Sequence, residues 1–461
     1  MIQGGRAMAV GKRKTGLQEG LWVPTSDLKR SPGHPFYEQV NRLLAEAGFD
    51  SFVEELCSRF YAGNVGRPGL APGVYVRMLL VGYFEGIGSE RGIAWRCADS
   101  LALRSFLGLT LVESPPDHST VSRTRRLIDL ETHVEIFGFV LKLLAERGLV
   151  GGKTIGVDAT TLEANAAMKS LVRRDSGQSY DDFLTELAKA SGIETPTRED
   201  LARVDRKRRK KASNDDWQNP HDPDAQITKL KDGRTHLSHK MEQAVDLDSG
   251  AVMAVMIQPG AAGDTATLPE TMLAAAQSVA TLRRDDELAD KLDGALAEWV
   301  ADKGYHSNET LVAIESLGMR SYISEPKRGR RKWRGDEEAK QAVYANRRRV
   351  TGARGRRLLR RRGELLERPF AHCLETGAMR RVYLRGRENI EKRIQLHVAA
   401  FNLGLLMRTL FGKGTPRGLQ GATAALRSLW GLVTRPVRSL ILCLVRLHAL
   451  LPDRQSRLTA A

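Results

Sequence analysis

The chain has 461 residues, a formal net charge of +17 and 41% apolar residues. That apolar share excludes a wholly disordered chain, and the length allows two or three domains. A pI near 9.9 argues for an acidic partner, a polyanion, with nucleic acid first among them.

The four cysteines, Cys57, Cys97, Cys373 and Cys443, form no CxxC pair and have no histidine at zinc-finger spacing. They read as reduced thiols in a cytoplasmic protein. The N-terminus lacks the apolar run of a signal peptide. The most apolar tract, Leu426 to Leu451, is broken by Arg427, Arg435, Pro436, Arg438 and Arg446, so it predicts an amphipathic helix and no membrane span.

In chain order, residues 1–34 are basic and rich in Gly, Ser and Pro, and read as a flexible tail. Residues 35–150 read as an all-helical domain. Phe36, Val40, Leu43 and Leu44, then Phe52, Val53 and Leu56, recur at helical spacing, with Gly48 between two helices. Pro72 suits a first turn, Gly86 to Ser89 a break, and Asp117 or Ser119 the cap of a helix that runs to about Arg147.

From Gly151 the texture changes. "KTIGVDATTLEAN" reads as a strand, and residues 166–226 as a polar insertion, part helical and part flexible. Two strands around Asp248-Ser249-Gly250 read as a hairpin. A helix from Thr267 to about Arg283 follows, then the strand "EWVADKGYHS", a helix, and the strand "MRSYISEP". Residues 324–362 carry 16 Lys/Arg against four Asp/Glu and read as a basic insertion. Helices are expected from about Gly363 and from Glu388 to Leu410. Residues 416–461 form a basic amphipathic tail.

Asp158 closes the first strand of this set and Asp302 the fourth. If those strands are neighbours, two carboxylates meet. Such a pair repels by roughly 4 kcal/mol at 4 Å and an effective dielectric of 20. A divalent cation relieves the repulsion, and oxygen ligands without Cys or His suit Mg²⁺ or Mn²⁺. Two such ions support phosphodiester displacement, and no organic cofactor is needed. Against this, an aspartate after a strand also serves as a turn-former or helix cap.

"GVDATTLEANAA", "HDPDAQITKLKDGRTHLSHKMEQAVD", "VADKGYHS" and "LLERPFAHCLE…RGRENIEKRIQLHVAAFNLGLLMR" resemble, in order, blocks of bacterial insertion-sequence DDE transposases. The branch they look most like is the one named after insertion sequence eleven-eighty-two, in the IS-four/IS-five type group. "HPFYEQVNRLLAEAGFDSFVEELC" and "PDHSTVSRTRR" resemble that group's helical N-terminal domain. The likeness runs from about Leu21 to Pro416.

The resemblance implies an α+β protein: the helical N-terminal domain for DNA binding, then a ribonuclease-H-like catalytic core over residues 151–415. That core is a mixed five-stranded sheet flanked by helices, with the two insertions. It implies Asp158, Asp302 and Glu367 as catalytic metal ligands, with Glu364 and Glu375 as competitors for the third place. The usual upstream Tyr is replaced by Leu359 or Arg360, and the usual downstream Lys is missing around Leu374 and Glu375. Arg361 and Arg362 fall near the family's arginine positions. The implied partners are double-stranded DNA at the element's terminal inverted repeats and at the target, and a second copy in a dimer. The implied activity is cleavage to free 3′-hydroxyls and their transfer to target DNA. The alternatives are a DNA-binding derivative without catalysis and a structure-selective nuclease on the same core.

Further DNA contacts are expected from Arg123, Arg125 and Arg126 on a capped helix, and from Trp333 in the basic insertion by base stacking. Lys303 reads either as a phosphate contact or as a solvated turn lysine. His239 and His306 read either as DNA-facing or as packed residues.

Overall fold

The computed structural model describes residues 34–62, 69–208, 212–229, 233–327 and 335–419, with Gly329, Arg331 and Trp333. Most of the expected N-terminal tail, most of the C-terminal tail and Cys443 lie outside these residues.

The described residues open with seven α-helices: α1 (Pro35–Glu46), α2 (Phe49–Cys57), α3 (Pro72–Glu85), α4 (Glu90–Asp99), α5 (Leu101–Phe106), α6 (His118–Leu127) and α7 (Leu130–Glu146). Their starts follow local chemistry. Pro35 and Pro72 occupy first turns, where a missing N–H costs nothing. Asp117 and Asp129 cap α6 and α7 by accepting from the Thr120 and Thr132 amides at 2.8 and 2.9 Å. Helix α3 is buried almost all round, from Tyr75 to Phe84, which marks it as a core helix.

Next comes β1 (Thr154–Glu163), and then the insertion. The insertion is more ordered than its polarity suggests. It holds β2 (Val172–Arg173), α8 (Tyr180–Ala190), α9 (Arg198–Lys207) and β3 (Trp217–Gln218). Leu171, Trp217, Ala225 and Leu237 give it a small core of its own, against which Tyr180 and Phe183 pack. The chain continues through β4 (Gln226–Lys229), β5 (Thr235–Asp246), β6 (Val252–Pro259), α10 (Asp264–Arg283), α11 (Asp286–Ala289), β7 (Glu298–Ala301), α12 (Asn308–Ser316) and β8 (Arg320–Ile323). Helices α13 (Glu337–Thr351), α14 (Ala353–Phe370) and α15 (Arg387–Phe411) complete it.

One sheet has the order β4-β5-β1-β7-β8, with β6 also paired to β5. It has six strands, one more than expected, because the short β4 extends the β5 edge. β1 runs antiparallel to β5 and parallel to β7, and β7 parallel to β8. Gly250, at φ +82°, makes the β5–β6 turn.

Asparagines of two helices bond to the edge strands β6 and β8. On α15, the Asn402 side chain donates to the Val252 carbonyl at 2.9 Å and accepts from its N–H at 3.0 Å. On α13, Asn346 does the same for Ile323 at 2.8 and 3.0 Å. These amides satisfy edge groups that would otherwise template strand addition. Helix α15 also packs on α7 and α3, so a single apolar core runs from the N-terminal helices through α15 into the sheet. Residues 387–419 contain an 18-residue window apolar enough for a membrane span by composition, but 72% of that window is buried inside the protein.

The basic segment 324–362, expected as an insertion, is helical over most of its described residues. Residues 337–351 are α13, and α14 begins at Ala353, ten residues before Gly363. Two of its arginines are anchored: Arg354 pairs with the buried Glu298, and Arg349 donates to the Ser321 carbonyl at 3.0 Å.

Candidate active site

The sheet brings the two aspartates together. β1 and β7 pair in parallel as Thr154–Glu298, Ile155–Trp299 and Gly156–Val300. Carried two residues on, that register sets Asp302 level with Asp158 on the same face. Asp158 is not the end of its strand, because β1 continues to Glu163 against β5. It stands instead where β7 stops and leaves that side of β1 open.

Gly156 shows which face this is. A Cβ there would meet Leu366 of α14 at 2.7 Å, and Asp158 lies two residues on, towards the same helix. Arg362 of α14 places its Nη2 2.7 Å from Asp158 Oδ2, with side-chain exposures of 12% and 27%. The pair is close but off the line of a hydrogen bond. Arg362 Nε also donates to the Val157 carbonyl at 3.3 Å. Burial pushes the Asp158 carboxyl above its usual range, and the charges of Asp302 and Asp264 add to the rise. Arg362 and the Ala159 N–H, at 2.9 Å, pull it back.

Asp302 caps the short 3-10 turn Lys303–Tyr305 and accepts from the Gly304 N–H at 2.8 Å. Gly304 is hemmed in by two acids. A Cβ on it would meet Asp302 Oδ1 at 3.1 Å, and would overlap Asp264 Oδ2 more closely than real Cβ atoms come. Asp264 is the first residue of α10, and its other oxygen accepts from Lys240 Nζ at 2.6 Å.

Beneath these acids lies a buried polar network. Lys240 and Glu242 of β5 point to the α10 face. Lys240 donates to Thr267 at 2.9 Å, and Glu242 accepts from Thr267 at 2.9 Å and from Thr271. The Tyr305 hydroxyl donates to Glu242 at 2.8 Å, and burial holds that hydroxyl far above its usual pKa. Asp264, Lys240, Glu242 and Tyr305 were not among the sequence candidates. The one signal for them was Lys240 and Glu242, two charges at spacing two on one face of a largely apolar hairpin strand.

The expected third carboxylate is elsewhere. The inward stripe of α14 is Gly355, Leu358, Arg362, Leu366 and Pro369. Glu367 is exposed, and five residues from Arg362 at about 100° per residue put it about 140° round the helix. Glu364 pairs with Arg368, and Glu375 with Arg380. None of the three acids reaches Asp158. Among the described residues, no three His, Cys, Asp or Glu side chains are grouped so as to hold a metal ion. The donor chemistry still fits one: Asp158 and Asp302 offer hard carboxylate oxygens without thiolate or imidazole, which suit Mg²⁺ or Mn²⁺.

The expected DNA contacts divide. Arg123, Arg126 and Lys303 are exposed. Arg125 is 5% exposed and locked to Glu90 at 2.8 Å and to Asn389 of α15, so it holds helices together and does not face outwards. Arg361 ties α14 to the hairpin turn by donating to the Asp248 carbonyl at 2.8 Å. Trp333 packs half-buried on the core, 5.9 Å from the Tyr344 ring and under Arg331, so its faces are occupied. His239 is fully buried against Asp222 at 3.1 Å, and His306 is also buried, so both are packed residues.

Comparison with known families identifies two segments. Residues 25–127 match the model described as Transposase domain (DUF772), and residues 190–403 match Transposase DDE domain. The second match takes in Asp264, Asp302, Arg362 and Glu367, while Asp158 precedes it. No curated protein and no solved structure matches the chain. The chain thus joins a transposase domain to a transposase DDE domain.

Proposed function

We propose that this chain is an insertion-sequence transposase of the eleven-eighty-two type, with a ribonuclease-H-like core. It binds the terminal inverted repeats of its element, cleaves there to free 3′-hydroxyls, and joins them to target DNA. The observation that carries the reading is the register of β7 on β1. It aligns Asp302 with Asp158 inside a chain that matches a DDE domain. The strand order supports the reading: the antiparallel β5 lies between β6 and three parallel strands, β1, β7 and β8.

Asp158 and Asp302 hold Mg²⁺, for which Mn²⁺ substitutes. When bound, such ions supply an activated nucleophile and charge for the leaving oxygen. The protein's own part is placement. Burial in the sheet fixes Asp158, and the Gly304 N–H fixes Asp302. Arg362, on the wall beside Asp158, is placed to exchange its carboxylate partner for a DNA phosphate. Arg123, Arg126 and Lys303 add phosphate contacts whose strength falls with salt. The protein works in the cytoplasm on double-stranded DNA, as a dimer that brings two element ends together.

A second reading, a DNA-binding derivative without catalysis, is favoured by one observation: Arg362 occupies Asp158 while Glu367 faces away. Strand transfer separates the readings. Purified protein is mixed with a pre-cleaved element end and a supercoiled plasmid in Mg²⁺. Joined product supports the transposase. Cleavage without joining means a nuclease, and binding alone means the silent derivative.

A further inference from the structure

We propose that the outer face of α14, formed by Arg357 and Arg360 with Arg348 at its near corner, binds the phosphate backbone of the target duplex. The choice of target over element end rests on the transposase reading; the charge of the face does not.

Nine arginines lie from Arg347 to Arg362 inclusive. Besides Arg349 and Arg354, four donate to protein acceptors: Arg347 to Glu325, Arg356 to the Thr351 carbonyl, Arg361 to the Asp248 carbonyl and Arg362 to the Val157 carbonyl. Arg348, Arg357 and Arg360 are exposed and have no ion pair or side-chain hydrogen bond among the described residues. The fold gains nothing from leaving them so. No acid stands in the first turn of α14. Like charges one turn apart, as Arg357 and Arg360 are, are mildly destabilising. Glu364, the one acid within a turn of them, pairs with Arg368 instead. Such a row of unpartnered arginines is complementary to an external row of phosphates.

Position chooses the duplex. At about 100° per residue, Arg360 and Arg357 lie about 160° and 140° round α14 from Arg362, which faces Asp158. A helix with its side chains is about 10–12 Å across. A straight duplex with a phosphate at Arg362 therefore does not reach the outer face as well. Joining an element end to a target brings in two duplexes, and the outer face is left for the second. Phosphate contacts carry no sequence information, which suits a target of varied sequence. The corner with α13 is fixed: a Cβ on Gly355 would overlap the Arg349 carbonyl, and Arg356 closes the corner on Thr351. Arg348, in the last turn of α13, is held at that corner.

The first test needs no catalysis. Full-length protein is titrated with a fluorescent duplex of unrelated sequence over a range of NaCl. Arg357→Gln/Arg360→Gln is expected to bind about tenfold more weakly, with the slope of log affinity against log salt reduced by about two. Arg203→Gln/Arg380→Gln removes the same charge from two exposed, paired arginines elsewhere and is expected to keep the wild-type slope. Equal losses in the two variants, or no loss in the first, would overturn the proposal. The second test separates the duplexes. Joining of a pre-cleaved end by Arg357→Gln/Arg360→Gln is expected to need about tenfold more plasmid for its half-maximal rate, with cleavage at the element boundary within about twofold of wild type. Cleavage lost as deeply as joining would put the element end on this face and overturn the target assignment. A wild type that neither cuts nor joins would defeat the transposase reading and the target assignment with it, while the titration still decides whether this face binds DNA.

Discussion

Asp302 stands beside Asp158 because the two lie 144 positions apart, the same offset that pairs Thr154 with Glu298 in the β1–β7 ladder. The alignment carries the sheet's register one residue past the end of β7, to where Asp302 caps the following turn. A site fixed by strand register holds its geometry better than one carried on flexible segments.

Gly304 tests that geometry without removing any charged group. Its φ is not positive, so alanine is conformationally acceptable there. The added methyl would press on Asp264 Oδ2 and meet Asp302 Oδ1 at 3.1 Å. Gly304→Ala is expected to cut DNA cleavage roughly a hundredfold, the scale of a small misplacement in a positioned site. Thermal unfolding is expected to move by no more than about 1 kcal/mol equivalent. Activity close to wild type would show that the gap between the acids is not needed.

Arg123 and Arg125 are two residues apart and should behave oppositely. Arg125→Ala leaves Glu90, itself 11% exposed in its side chain, without its partner. The expected loss is about 3–5 kcal/mol of stability by denaturant unfolding. Arg123→Ala should leave stability within about 0.5 kcal/mol. Its effect should appear in DNA binding, with the salt dependence reduced by about one phosphate contact. Equal stability of the two variants would contradict the burial of Arg125.

Acid should destabilise the helical half before it reaches the carboxylates. His133 donates from Nδ1 to the Asp129 carbonyl at 2.6 Å, and its Nε2 lies 3.0 Å from the Tyr75 hydroxyl. Burial holds its pKa down to about 4, and that of His397 down to about 3. Below pH 6.5 the unfolded chain therefore binds protons that the folded chain does not. Stability is complete above pH 6.5 and falls as pH drops towards 4, by up to about 1.4 kcal/mol per pH unit for each histidine. Urea midpoints between pH 7 and 5 should show the fall, and His397→Gln should lessen it.

Arg362 should matter for stability as well as for DNA. Arg362→Met leaves Asp158, with 27% of its side chain exposed, without its counter-charge. The expected cost is about 2 kcal/mol, below that of a fully buried pair because of this exposure. The same variant should weaken binding to element ends. Unchanged stability would mean that the ion pair is incidental.

Much of this site was legible in the sequence, and the missing parts have physical causes. Asp158 and Asp302 could be found because strand alternation is short-range and both follow apolar runs. The face of α14 could not. Its arginine-rich start reads as part of the basic insertion, and a helix begun ten residues late cannot be phased against the sheet. In the helix as it forms, Arg362 and Leu366 share the inward stripe and Glu367 falls about 140° away. Arg125 misled for a related reason. Its surroundings include Asn389 of α15, and no local pattern announces a contact across 264 positions. Asp264 was hidden because an acid in a helix's first turn already has an ordinary explanation in the helix dipole.

The most direct test of the central claim uses a labelled duplex ending in the element's inverted repeat, incubated with Mg²⁺ or with EDTA. Wild type is run beside Asp158→Ala and Asp302→Ala, with binding followed by gel shift. Nicking at the element boundary is expected from wild type in Mg²⁺ alone. Both variants should bind the duplex and leave it uncut. Cleavage that survives either substitution, or that proceeds in EDTA, would contradict the assignment of these two aspartates.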